Sequence, residues 1–230
     1  MTQLADRSRW QGSAEAVLAA YCRQAGSGDI MCGTSTRHAG LWPAILEEVL
    51  AAGAGSIAQV QEQLQSHVRE IGTSFRLPNE GEERQWPVSP VPLAISEAEW
   101  AALASAVIQR AELGELLLAD IYGPQQLAAS NALPMAALTG SSQFLRPMVG
   151  ITPPGGHYLN VYAADFGRGP DGDWRVLADH TRSPAGAGYA LENRLAATQV
   201  MGGLAERLNI QRLAPFFADL RAGIAASCER

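Results

Sequence analysis

VLADHTRSPAGAGYALENR, residues 176–194, joins an apolar run to a helix-like run through a loop of Ser, Pro, Gly and Ala. Trp174, Val176 and Leu177 read as the apolar surface of a buried strand, and Asp179 stands at its end. A carboxylate beside such a strand is costly unless a cation or hydrogen-bond donors meet it. Gly186 and Gly188 permit backbone angles that other residues resist, so the loop can fold back on the strand. Glu192, Asn193 and Arg194 then fall in a helix beginning near Tyr189. Two carboxylates, Asp179 and Glu192, with the amide oxygen of Asn193, make the hard-oxygen set that suits Mg2+ together with water and phosphate. Arg182 and Arg194 flank the pair and are suited to grip phosphate oxygens bidentately. A plainer alternative stays open: Asp179 caps the loop, and Glu192 pairs with Arg194 or Arg182 on the surface. The loop lacks GxGxxG and is no dinucleotide fingerprint. It is either a phosphate cradle of backbone amides at a helix start or a simple connector.

The strand–loop–helix order points to a mixed α/β (α+β) fold, and the flanking sequence agrees. In HYLNVYAADFGR (157–168), Tyr158, Asn160, Tyr162 and Ala164 alternate with Leu159, Val161 and Ala163, the period of a sheet. RGPDGDW (168–174) reads as a hairpin turn into DWRVLADH (173–180). FLRPMVGI (144–151) reads as a further strand. Its Arg146 either reaches a substrate carboxylate or phosphate or pairs with a neighbouring acid. His180 is either an acid–base group or a hydrogen-bonded loop residue, and His157 lies in an exposed turn. Residues 190–202 and 211–226 return to helix, with Phe216 and Phe217 in the core.

Towards the N-terminus the pattern is helical. Residues 13–23 form a short amphipathic helix and 27–40 a loop. Segments 41–53 and 56–72 form an αα-hairpin closed by Gly53 and Gly72. TSFRLP (73–78) reads as a short strand. The polar, then proline-rich stretch that follows reads as an extended segment crossing the surface, because Pro87, Pro90 and Pro92 prevent regular pairing. Ser96 and Glu99 form a capping box for a helix running to about Asp120. Its apolar stripe is Trp100, Leu103, Val107, Leu113, Leu117 and Ile121, and Gly123 and Pro124 end it. Two regions result: a helical region over 1–95 with its proline-rich crossing segment, and a portion over 96–230 that carries the metal loop.

Composition excludes several function classes. With 230 residues, 47% of them apolar, the chain is long enough to bury a core. A net charge of −6 argues against nucleic acid as a partner. Neither an apolar run of membrane-spanning length nor a signal-peptide h-region stands out, which points to a cytoplasmic protein with no membrane partner. Cys22, Cys32 and Cys228 fit neither a disulfide framework nor a metal motif, and reduced thiols are expected. The chain has no lysine, so Schiff-base or P-loop lysine chemistry cannot come from it.

Several segments resemble, in order, the N-terminal part of the circularly permuted ATP-grasp proteins of type 2, the glutathionylspermidine-synthase-like group. They are WPVSPVPLAISEAEW, QRAELGELLLADIYGPQ, FLRPMVGITPPGGHYLNVYAADFGRGPDGDWRVLADHT, SPAGAGYALENR and QRLAPFFADLR. The resemblance implies a partial ATP-grasp-like fold: a helical region followed by a mostly antiparallel sheet flanked by helices. It also implies a role within an ATP-dependent carboxylate–amine ligase. Asp179, Glu192 and Asn193 would be the Mg2+ ligands; Arg182, Arg194 and Arg146 would face phosphate or substrate; Gly186 and Gly188 would cradle ATP. In the permuted order the nucleotide-binding lysines follow this region, so they are expected on another chain or missing. Two outcomes follow: a half-site completed by a second polypeptide, or a catalytically inactive remnant serving as a binding or assembly subunit. Either leaves an apolar face that a partner or self-association would cover.

Overall fold

The computed structural model describes residues 11–26, 29–32, 40–77, 81–169, 171–182 and 184–228. Parts of the expected 27–40 loop, Pro170 of the hairpin turn and Ser183 lie outside these. The helices start and stop where local chemistry dictates. Ser13, in an extended conformation, accepts the Ala16 N–H at 3.2 Å and opens α1 (Ala14–Cys22). α2 (Leu41–Ala52) ends at Gly53 and leads into α3 (Ile57–Glu70). A Cβ on Gly53 would lie 2.2 Å from the Ser56 carbonyl oxygen and 2.6 Å from Val60 Cγ2, so this tight turn needs glycine.

The chain divides into two compact units, each taken by itself. The first comprises Met1–Glu97, Arg168–Asp173 and Ala185–Arg212. Its core is built where the apolar stripes of α2 and α3 meet: Trp42, Ile45 and Val49 pack with Val60, Leu64 and Val68. Ala196 of α7 (Ala187–Val200), Met201 and Leu204 of α8 (Gly202–Arg207) complete it. A neighbouring cluster joins Ala14 and Val17 of α1 to Leu46 and Leu50. β1 (Ser74–Phe75) pairs antiparallel with β2 (Arg84–Gln85), Ser74 opposite Gln85 and Phe75 opposite Arg84.

Two expectations change here. The segment after β2 does not simply cross a surface: Trp86, Val88, Val91 and Ala94 pack against the core. The proline-rich stretch does lack regular pairing, but its apolar side chains still gain burial. Cys22 and Cys32 are not free thiols either. They form a disulfide with Cα atoms 5.3 Å apart, because α1 and the loop after it fold back within bonding reach. Cys228 is free and exposed.

The second unit comprises Ala98–Gly167, Trp174–Pro184 and Leu213–Arg230. α4 runs from Glu97 to Tyr122 and stops at Gly123. Two short helices follow, α5 (Gln126–Ala129) and α6 (Met135–Thr139), then β3 (Ala163–Arg168), β4 (Trp174–His180) and α9 (Ala214–Cys228). β3 and β4 form a two-stranded hairpin, with the Gly169 N–H donating to the Asp173 carbonyl. Among the described residues the fold is therefore mixed, helices with two small two-stranded sheets.

Several expected features of this unit are corrected. FLRPMVGI is no strand: Pro147 has no N–H to pair, and Arg146–Met148 form a 3-10 turn. Strand β3 starts only at Ala163, because the Tyr158 and Leu159 N–H groups donate to the Glu115 carboxylate of α4 (2.9 and 2.8 Å) instead of to a neighbouring strand. β4 is not buried, and Leu177 is 71% exposed. In the expected α4 stripe Leu103 is buried while Trp100 and Leu113 are exposed, and Phe216 of α9 is exposed rather than core. No helix among the described residues is long and apolar enough to cross a membrane.

Candidate functional site

In the first unit the glycine loop feeds α7. Gly186 precedes the helix at φ +110°, a conformation side chains rarely adopt. Tyr189, in the first turn, stacks on Trp86 with ring centroids 4.0 Å apart and planes 16° from parallel. Its hydroxyl donates to the Ser74 carbonyl at 2.9 Å. Phe75 meets Trp86 edge-on at 5.7 Å, and the indole N–H donates to the Asn193 side-chain oxygen at 2.7 Å. These contacts fix one face of α7 against the β1–β2 ribbon. Beside them lies a shallow pocket of about 280 Å3 lined by Thr73, Gly186, Gly188, Tyr189 and Glu192. Among the described residues of that lining Glu192 is the only charged side chain, and its carboxylate favours a cation or a group bridged through one.

Of the sequence-predicted residues, Gly186, Gly188 and Glu192 thus share one pocket. Asn193 follows Glu192 on α7, with its amide oxygen engaged by Trp86. Arg194 donates from Nη1 to the Gln211 carbonyl at 3.0 Å.

Asp179 belongs to the second unit, at the end of β4. Arg110 of α4 grips both its oxygens, Nε to Oδ1 at 2.8 Å and Nη2 to Oδ2 at 2.5 Å. The Tyr162 hydroxyl also donates to Oδ1. The Arg110 fork, with help from Tyr162, holds the Asp179 carboxyl down at about 2. The same contacts raise the Arg110 guanidinium above its ordinary value, first through Asp179. Burial, and then the bond to anionic Asp179, pushes the Tyr162 phenol up. Asp179 is thereby fixed as an oriented anion, with its side chain 40% exposed. The neighbouring His180 Nε2 lies 2.9 Å from Asp165 Oδ2 across the hairpin. Arg182 donates to the Gln143 side chain, and Arg146 stands exposed in its 3-10 turn.

Sequence reasoning missed Arg110, Tyr162, Trp86 and Thr73. One signal was present: Arg110 is the only basic residue of α4, in a helix otherwise carrying Glu and Asp. A lone cation there needs an acid from another element. Trp86 carried no such signal, since its partners Tyr189 and Asn193 lie more than a hundred residues away.

Residues 92–230 match the profile of the circularly permuted ATP-grasp type 2 family. An uncharacterized protein of Mycobacterium tuberculosis is 37% identical over 139 residues, which is 60% of this chain and 16% of that protein. An uncharacterized Synechocystis protein is 35% identical over 157 residues, 67% of this chain and 33% of that protein. One from Mycobacterium leprae is 34% identical over 165 residues, covering 72% and 29%. The chain therefore spans from about a sixth to a third of the length of these relatives.

Proposed function

The chain belongs to the circularly permuted ATP-grasp type 2 family, and from that premise we propose that it supplies the Mg2+-binding half of an ATP-dependent carboxylate–amine ligase. The observation that carries this reading is the pocket at the start of α7, where Glu192 sits with the backbone of Gly186 and Gly188. Exposed amides at a helix start suit a phosphate, and a carboxylate beside them suits the cation that accompanies it. The donor chemistry fits: Asp179 is a carboxylate kept ionised, and Glu192 is a second hard-oxygen donor. Asn193 fits less directly, because its amide oxygen already accepts the indole proton of Trp86.

In this reading Asp179, Glu192 and Asn193 hold Mg2+, which when bound would bridge phosphate oxygens and offset their charge. Arg110 and Tyr162 act through Asp179, fixing its orientation and keeping its proton off. Arg182, Arg194 and Arg146 are the cations offered to phosphate or to the substrate carboxylate. The nucleotide-binding lysines come from outside this lysine-free chain. We place the working protein in the cytoplasm with its ATP.

A second reading, an inactive remnant that binds or assembles, is favoured by a specific observation. Both oxygens of Asp179 are taken by Arg110, and no group of three or more His, Cys, Asp or Glu among the described residues is arranged to hold a metal.

Calorimetry separates the two. The chain is co-expressed with the Synechocystis relative from which the matched segment has been deleted, and the complex is titrated with Mg2+ and ATP. Binding that Glu192→Gln and Asp179→Asn each weaken at least about tenfold supports the ligase half-site. Binding unchanged in both variants places the metal elsewhere. A stable complex without Mg2+–ATP binding supports the assembly reading.

A further inference from the structure

The first unit carries a covalent tie that its other contacts duplicate. Cys22 ends α1 and Cys32 ends the segment 29–32; both are partly exposed, so a small thiol can reach the bond between them. Three hydrogen bonds hold the same segment without the sulfurs. The Tyr21 hydroxyl donates to Asp29 Oδ2 at 2.7 Å, and the Met31 N–H donates to Asp29 Oδ1 at 2.9 Å. The Trp42 indole N–H donates to the Ile30 carbonyl at 3.1 Å. The bond to Asp29 pushes the Tyr21 phenol up to about 12, so it keeps its proton and stays a donor at neutral pH. Ile30 and Met31 also pack against the core. With these contacts in place the two cysteines, Cα atoms 5.3 Å apart, stay within bonding reach whether or not they are joined. Tyr21 and Met31 each stand one residue from a bonded cysteine. Both line an apolar pocket of about 380 Å3 whose walls include Ile30, Trp42, Leu46 and Val91.

We propose that Cys22–Cys32 is a reversible thiol–disulfide switch: joined, it fixes the Tyr21 and Met31 wall of this pocket; opened, it frees that wall while the fold stands. The thiolate of a monothiol such as glutathione attacks one sulfur, giving a mixed disulfide and one free cysteine thiolate. A second monothiol attacks the mixed disulfide, and the external pair leaves as its own disulfide. Two electrons pass from the external thiols to the protein sulfurs, and the two thiol protons end on Cys22 and Cys32. The reverse exchange with the oxidised monothiol closes the bond. Every contact used here lies within the first unit, and the switch neither needs nor tests the ligase reading, so the two fail separately.

The experiment uses the full chain with Cys228→Ser, which removes the exposed free thiol. It is equilibrated in glutathione buffers from oxidised to reduced, quenched with acid and alkylated for mass spectrometry. Cys22 and Cys32 should convert together across the ratios, with circular dichroism unchanged. On reduction the Trp42 indole and Met31 amide protons should exchange at least about tenfold faster. The apolar probe N-phenylnaphthylamine should bind at least about threefold more weakly. The double variant Cys22→Ser, Cys32→Ser should show the reduced-state values in every buffer. Tyr21→Phe, which removes the bond to Asp29, should move the balance at least about threefold toward the thiols. A bond that opens only as the helices unfold would be a structural staple and would overturn the proposal. So would a pair that stays reduced in oxidised buffer, exchange or probe binding that is the same in both states, or a balance that Tyr21→Phe leaves unchanged.

Discussion

The α2–α3 pair and α4 are built from similar apolar residues but end in opposite states. α2 and α3 each carry one apolar side, and the two sides meet; Val49, Val60 and Leu64 are completely buried. α4 is nearly twice as long as α3, yet Leu103 is its only buried apolar residue. The difference teaches what each unit can do alone. The first closes its core from its own helices, braced by the Cys22–Cys32 bond. The second leaves Trp100, Ile108, Leu113 and Leu116 of α4 and Phe216 and Ile224 of α9 exposed to water, so these helices gain little from burial.

Substitutions can sharpen that contrast. Ile45→Ala should have the largest effect, a loss of about 2–5 kcal/mol in urea unfolding, because the residue is 1% exposed amid packed neighbours. A loss under about 1 kcal/mol would mean the first core is looser than its geometry. Reduction of the disulfide, whose cysteines are 10 residues apart, should cost roughly 2–3 kcal/mol through loop entropy. Melting curves with and without reductant read this directly, and identical curves would remove the bond from the first unit's stability. Gly53→Ala should cost about 1–3 kcal/mol by overpacking the turn against Ser56 and Val60. Leu116→Ala in the isolated chain should move stability by no more than about 0.5 kcal/mol, since the side chain is already in water.

Acid offers another probe of the second unit. The Asp179 carboxyl is lowered from 3.8 to about 2, so the folded state favours its ionised form. The stabilisation from the Arg110–Asp179 pair is fully present above the ordinary carboxylate value and is lost as pH falls through about 2. An NMR titration of the Asp179 side chain should therefore show its midpoint near 2, and Arg110→Met should move it back toward 3.8. A midpoint unchanged by that substitution would mean the fork does not set the carboxylate's charge.

What the sequence made legible follows from how far apart the cooperating residues stand. Helices α1 to α4 and the β3–β4 hairpin rest on signals a few residues apart: Ser13, Gly53, the Ser96 capping position, the glycine-rich turn before Trp174. The α7 pocket was legible for the same reason, because Gly186, Gly188 and Glu192 lie within one loop and two helical turns. Long-range substitutions of one partner for another were not. Residues 157–162 alternate like a strand, but Glu115 of α4 takes their first N–H groups. Asp179 looked like a carboxylate awaiting a cation, and the cation in the structure is Arg110, 69 residues earlier. The disulfide escaped because its spacing fits no framework, although the turn after α1 brings the two sulfurs together.

Native-state hydrogen exchange on the isolated chain tests the contrast between the units most directly. Amides in the middle of α2 and α3 should exchange only through global unfolding, while those around Ile108–Leu116 of α4 should open at much lower free energy. Equal protection of α2, α3 and α4 would contradict the account, because the second unit would then be as firmly closed as the first.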